Sequence, residues 1–161
     1  MKQKIKVAVF TGNRAEYGLQ FPILRALTAD ERFVVYLLVG GAHLQENFGN
    51  TKAEIEKDGF KIYREVDMKM DHDTLYATAQ VIGTGILSVS QILNDLKPDW
   101  LVIYADRFES FAAMIAGTQM GLPTVHIEGG DYTEGGALDD TVRHAMTKLT
   151  HLHFTTNEQA A

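Results

Sequence analysis

Five carboxylates fall within thirteen residues of one another: Glu128, Asp131, Glu134, Asp139 and Asp140. Crowded carboxylates raise one another's pKa, which is what a general acid/base pair requires. They lie in a stretch that begins as the apolar run Pro123–Ile127, breaks into Gly129-Gly130 and Gly135-Gly136, and restarts as a helix at Asp139-Asp140, where acidic side chains suit a helix N-terminus. A solvated acidic loop is the plain alternative, but the flanking glycines permit close approach of a ligand. Glu128 stands two residues after His126, so strand alternation places both on one face. On that reading Glu128 projects from a rigid edge while Asp131 and Glu134 belong to a mobile loop.

Two more turns carry chemistry. Gly12-Asn13-Arg14-Ala15-Glu16-Tyr17-Gly18 lacks the spacing of a dinucleotide fingerprint, yet it sets a guanidinium at a helix start, where free N–H groups favour an anion. Asp106-Arg107 repeats that pattern, with Asp106 a base or an ordinary helix cap and Arg107 a second anion ligand. His126, Glu128, His151 and His153 raise the question of a metal. Those histidines alternate with apolar residues and no metal-ligand spacing is present, so they read as core or edge histidines and no metal is expected.

The elements that must position these residues alternate regularly. Ile5–Phe10, Phe33–Val39, Lys61–Val66, Trp100–Ala105, Thr124–Ile127 and His151–Thr156 read as strands from their apolar, β-branched content. Helical spacing follows from Glu16 to Leu27, over Lys52–Lys57 with Asn50-Thr51 as cap, from Asp73-Thr74 to Leu96, over Ser110–Met120 and over Asp139–Leu149. Strands alternating with helices mean a parallel sheet with right-handed crossovers, and such open sheets bind ligands at the carboxyl ends of their strands. Arg14, His43, Asp106 and Glu128 are all expected at that edge. Gly83 and Gly85 interrupt the longest helix and predict close packing or a bend there. Its wide apolar surface, including Val81, Ile82, Ile86, Leu87 and Val89, predicts a subunit contact.

The 161 residues suit one domain, and 45% hydrophobic with 22% charged residues is ordinary globular composition. A net charge of −6 without a basic run argues against nucleic acid or an anionic membrane as partner. The absence of cysteine removes disulfides and thiol chemistry and fits a reducing compartment, so the cytoplasm is the expected location. No signal-peptide core and no spanning apolar run is evident. Asn157–Ala161 reads as the first turn of a further helix, which predicts a chain that continues.

Jointly the motifs resemble a family. Asn13-Arg14-Ala15-Glu16-Tyr17, Ala42-His43-Leu44 with Phe48-Gly49-Asn50-Thr51, Asp106-Arg107-Phe108, His126-Ile127-Glu128-Gly129-Gly130 and Asp139-Asp140-Thr141-Val142-Arg143-His144 are similar to the N-terminal domain of the UDP-N-acetylglucosamine 2-epimerases, over essentially the whole chain. Gly129-Gly130 and Asp139-Asp140 favour the hydrolysing branch, which makes N-acetylmannosamine for sialic acid synthesis. Ala105 replaces a glycine common in relatives. The resemblance implies a Rossmann-like α/β sheet with helices on both faces, one half of a two-domain glycosyltransferase-B type fold, residues 1–161 forming the first domain and the second lying outside this chain. It implies a UDP-sugar substrate, no cofactor and a homodimer or higher homo-oligomer. It places Arg14, Ala15 and Arg107 at the nucleotide diphosphate, His43 in the cleft, and Asp106, Glu128 and Asp139 at the reacting sugar. Asp140 and Arg143 then orient those acids.

Overall fold

The computed structural model describes residues 3–45, 51–68, 74–133 and 138–161. Asn50, Asp73, Glu134 and the Phe48-Gly49 and Gly135-Gly136 pairs named above lie outside them. Six strands, β1 (Ile5–Thr11), β2 (Phe33–Val39), β3 (Ile62–Glu65), β4 (Trp100–Tyr104), β5 (Thr124–Ile127) and β6 (Leu152–Phe154), form one sheet. Its order is β3-β2-β1-β4-β5-β6, and every neighbouring pair is parallel. The helices are α1 (Arg14–Ala29), α2 (Lys52–Lys57), α3 (Leu75–Leu96), α4 (Phe108–Gln119) and α5 (Leu138–Leu149), and the loop after β2 contains a short 3₁₀ turn, Gly41–Leu44.

Strand alternation divides the core into two layers. Ala8, Phe10, Leu38, Leu101 and Ile103 face α3, α4 and α5, where Val89, Leu93, Ala112, Met114 and Met146 pack against them. Val7, Val9, Leu37, Val39 and Val102 face the opposite way, against Tyr17 and Leu24 of α1 and Ile55 of α2. Both sheet faces are therefore covered, as an all-parallel sheet requires.

Helix ends follow local chemistry. The Asn13 side chain accepts from Glu16 N at 3.0 Å and starts α1 two residues before the apolar periodicity does. Thr74 caps α3 by accepting from Ala77 N at 3.1 Å, and α3 stops at Lys97, whose φ of 48° precedes Pro98. Asn157 Oδ1 accepts from Ala160 N, but the residues after β6 form a turn and not the helical turn expected from their sequence. Order reverses between β1 and β4, so the sheet opens there, at the carboxyl edge that carries the candidate residues.

Candidate functional site

The ends of β4 and β5 are both turned by residues in left-handed conformation, Ala105 at φ 56° and Glu128 at φ 62°. Non-glycine residues hold this geometry at a cost of about 1–2 kcal/mol, so surrounding contacts must enforce it. His126 is one such contact. Fully buried, it donates from Nε2 to the Ala105 carbonyl at 2.6 Å, and Nδ1 lies 3.4 Å from Thr147 Oγ1 on α5. Burial pushes this imidazole below its ordinary pKa, so it serves as a neutral strut under the edge.

The positive φ also corrects the expected direction of Glu128. Residue 128 lies beyond β5, and with its positive φ the backbone there no longer alternates as a strand. Burial and Glu128 together hold the Tyr104 phenol protonated, well above its ordinary range.

Beside Glu128 a cavity of about 490 Å³ opens, lined among others by Asp106, Asp131, Tyr132, Thr133 and Arg143. Arg143 organises it. From α5 its guanidinium pairs with Asp106, donates to Asp140 Oδ1 at 3.0 Å, to the Asp131 carbonyl at 2.9 Å and to Thr133 Oγ1 at 3.1 Å. Asp140 Oδ1 also accepts from Thr133 N at 2.9 Å. Asp131, expected in a mobile loop, is pinned: Thr156 Oγ1 and Asn157 Nδ2 donate to its carboxylate at 2.7 and 3.1 Å, and those bonds hold it below the usual carboxylate range. Asp139 stands half-buried in the first turn of α5 but not among the residues lining this cavity.

Arg14 and Arg107, expected to converge, do not. Arg14 is largely exposed and donates from Nε to Glu54 of α2 at 3.0 Å, facing a separate surface depression shared with Asp58. Arg107 and Ala15 instead line a cavity of about 300 Å³ between the ends of β1, β2 and β4. His43 does not face a cleft. It is fully buried, with Nδ1 at 2.6 Å from Thr51 Oγ1 and Nε2 at 3.1 Å from Thr11 Oγ1, and burial drives its pKa down to about 4. Its role is to tie the β2 loop to α2.

Two buried acids escaped sequence reasoning. Glu16, 3% exposed, accepts from Gly12 N and Ser110 Oγ, each at 2.8 Å, and its pKa is pushed up to about 7 by burial. Glu109, also buried, has its pKa raised for the same reason. For Glu16 a signal existed: Asn13-x-x-Glu16 is a capping-box spacing. Glu109 gave none: in Asp106-Arg107-Phe108-Glu109-Ser110 it reads as one more polar residue of a turn entering a helix.

Acids, a bridging arginine and a left-handed turn thus meet at the carboxyl edge of a parallel sheet, an arrangement able to move protons on a bound polar ligand. The family model described as UDP-N-acetylglucosamine 2-epimerase matches residues 25–161. A Legionella pneumophila protein named UDP-N,N'-diacetylbacillosamine 2-epimerase (hydrolyzing) is 35% identical over 95% of this chain and 40% of its own length. A Campylobacter jejuni protein named GDP/UDP-N,N'-diacetylbacillosamine 2-epimerase (hydrolyzing) is 34% identical over 96% and 40%. The chain therefore spans about 40% of the length of these relatives. The crystal structure of the Neisseria meningitidis UDP-GlcNAc 2-epimerase bound to UDP-GlcNAc superposes with a TM-score of 0.84 at 21% identity, over 97% of this chain and 42% of that one, and shares the fold. With a family match across most of its length, this chain belongs to the UDP-N-acetylglucosamine 2-epimerase family.

Proposed function

We propose that the chain is the first of two Rossmann-like domains of a hydrolysing UDP-sugar 2-epimerase, which converts UDP-N-acetylglucosamine and water to N-acetylmannosamine and UDP. The observation that carries this reading is the convergence of Asp106 and Glu128 on one cavity, in a family of nucleotide-sugar 2-epimerases. A carboxylate removes the C2 proton, the C–H electrons form the C1=C2 bond, and the C1–O bond breaks to release UDP. Water then adds its oxygen to C1 of the resulting 2-acetamidoglucal while C2 is protonated from the opposite face. The sequence is redox-neutral and as written needs neither nicotinamide nor metal.

Asp106 and Glu128 carry the proton transfers in this scheme, with Asp139 at the start of α5 as a third acid and Asp140 and Arg143 holding the constellation. Arg14 is free to meet the diphosphate, since its exposed pair with Glu54 is worth at most about 1 kcal/mol. Ala15 flanks it at the α1 start. Turnover requires the second domain to close over the substrate. Of the α3 residues expected in a subunit contact, Val81 and Val89 are buried in the chain's own core with Ile82 and Ile86 packed against it, so a homodimer contact falls on the outer face, where Leu87 is exposed with Leu75 and Tyr76; light scattering tests it. The Legionella and Campylobacter relatives favour a second reading, the same elimination on UDP-2,4-diacetamido-2,4,6-trideoxyglucose.

Amide replacement tests the roles. In the full-length enzyme Glu128→Gln and Asp106→Asn each lower kcat about 100-fold or more, whereas Asp131→Asn shifts KM more than kcat. Near-normal kcat in Glu128→Gln removes it as a base.

A further inference from the structure

Tyr132 stands at the lip of the cavity beside Glu128, and none of the proton transfers above uses it. Its side chain is 86% exposed. Among the described residues its one aromatic neighbour is His144, with ring centroids 4.6 Å apart and planes tilted by 44°, and the rest of the ring is open. A single exposed aromatic is common on protein surfaces and by itself signals nothing. What sets this one apart is that its backbone is held on both sides. Asp131 before it is fixed twice, its carboxylate by Thr156 and Asn157 and its carbonyl by Arg143. Thr133 after it donates from its N–H to Asp140 and accepts at Oγ1 from Arg143. His144 lies one turn after Asp140 on α5, its Nε2 3.5 Å from Asp140 Oδ2. The ring is thus carried by the same arginine and acids that build the cavity, so its place relative to Asp106 is set before a ligand arrives. A tyrosine held in this way offers a large contact area at little entropic cost, having only two side-chain torsions to fix.

Charge says which part of a nucleotide sugar can lie beneath it. Among the described residues the cavity walls carry the carboxylates of Asp106, Glu128 and Asp131 against the guanidinium of Arg143, which Asp106 and Asp140 already engage. Negative groups outnumber positive ones, so a diphosphate is repelled, whereas a neutral sugar brings hydroxyl and amide N–H donors to carboxylate acceptors. A pyranose also has C–H patches, which carboxylates cannot match and an aromatic ring can. Tyr132 is the one aromatic side chain lining the cavity among the described residues.

We propose that Tyr132 is a stacking platform for the sugar of the substrate: a C–H face of the pyranose lies on the open side of its ring while the cavity acids take the sugar's hydrogen-bond donors. The proposal rests on the nucleotide-sugar reading above and adds a residue that lies outside the motifs carrying the family resemblance. Tyr132 sets affinity for the sugar here and takes no part in the chemistry.

The test compares the wild-type full-length enzyme with Tyr132→Ala and Tyr132→Phe. Calorimetry measures the Kd for UDP alone and for each of the two UDP-sugars named above, alongside steady-state kinetics. Tyr132→Ala is expected to raise both the Kd and the KM of the UDP-sugar about tenfold, with kcat changed by no more than about twofold and the Kd for UDP unchanged. Unchanged UDP binding also reports that the variant is folded. Tyr132→Phe restores the wild-type values, because the ring face and not the hydroxyl makes the contact. An unchanged Kd for the UDP-sugars in Tyr132→Ala overturns the proposal. So does an equal loss of UDP affinity, a fall in kcat at constant KM, or a failure of Phe to restore binding. A wild-type enzyme that binds a UDP-sugar without converting it refutes the catalytic reading, and the ratio of Kd values between wild type and Tyr132→Ala still decides the platform. Turnover with identical KM in all three proteins refutes the platform alone, and a wild-type enzyme that binds neither UDP-sugar refutes both.

Discussion

Arg143, one turn into α5, reaches across the open edge of the sheet to pair with Asp106 at the end of β4, a contact 37 residues long in sequence. The same guanidinium holds Asp140, so removing it leaves two half-buried carboxylates facing each other; their side chains are only 20% and 18% exposed. Arg143→Ala is expected to destabilise the chain by about 2 kcal/mol, between the values for exposed and fully buried pairs. Arg143→Lys restores less than half of this, because a point charge cannot serve Asp106, Asp140 and the Asp131 carbonyl together. Urea denaturation of the three proteins measures it; equal midpoints for Ala and wild type contradict the bridging role.

The Glu16 carboxyl makes stability depend on pH. Its folded pKa of about 7 exceeds the ordinary 4.5, so the folded state binds the proton more tightly than the unfolded chain does. The contribution is fully present below about 4.5, is lost as pH rises through about 7, and the loss amounts to on the order of 3 kcal/mol. His43 works the other way, with its folded pKa of about 4 below the ordinary 6.5, removing stability as pH falls between those values. Glu16→Gln keeps an acceptor for Gly12 N and a partner for Ser110 but cannot ionise. The difference in unfolding free energy between wild type and Glu16→Gln is expected to change between pH 5 and pH 8 in favour of the variant at pH 8. A difference independent of pH contradicts this assignment.

The two glycines of α3 are expected to respond in opposite directions to alanine. Gly83 is exposed, with no atom near the position of an added methyl, whereas at Gly85 that methyl would collide with the Met68 side chain and stand 2.9 Å from Ala112 Cβ on α4. Gly83→Ala stabilises by about 0.5–1 kcal/mol through helix propensity. Gly85→Ala destabilises by about 1–3 kcal/mol through overpacking. Thermal midpoints that move in the same direction for both disprove close packing of α3 on α4 at Gly85.

The sheet and its helices were legible because apolar periodicity is local: each strand and helix announces its own buried face. The edge position of the acids followed from that order. Direction was harder to see. Glu128 departs from strand alternation because its φ is positive, a backbone choice invisible in a tetrapeptide. Arg14 and Arg107 share an edge but not a cavity, since Arg14 at the first position of α1 turns outward to Glu54. His43 reads as a loop histidine until Thr51 and Thr11 close around it. Ala105 holds a left-handed φ of 56°, a conformation usually left to glycine, and nothing in its own sequence neighbourhood announces it.

The central claim is elimination of UDP through carboxylate abstraction of the C2 proton, and product analysis in deuterated water tests it most directly. The full-length enzyme, given UDP-N-acetylglucosamine and, in parallel, UDP-2,4-diacetamido-2,4,6-trideoxyglucose in D₂O, is expected to convert one of them to free UDP and a 2-epimerised sugar with a single deuterium at C2, visible as loss of the H2 resonance. A product still attached to UDP, or a free sugar that retains its original C2 proton, contradicts the account.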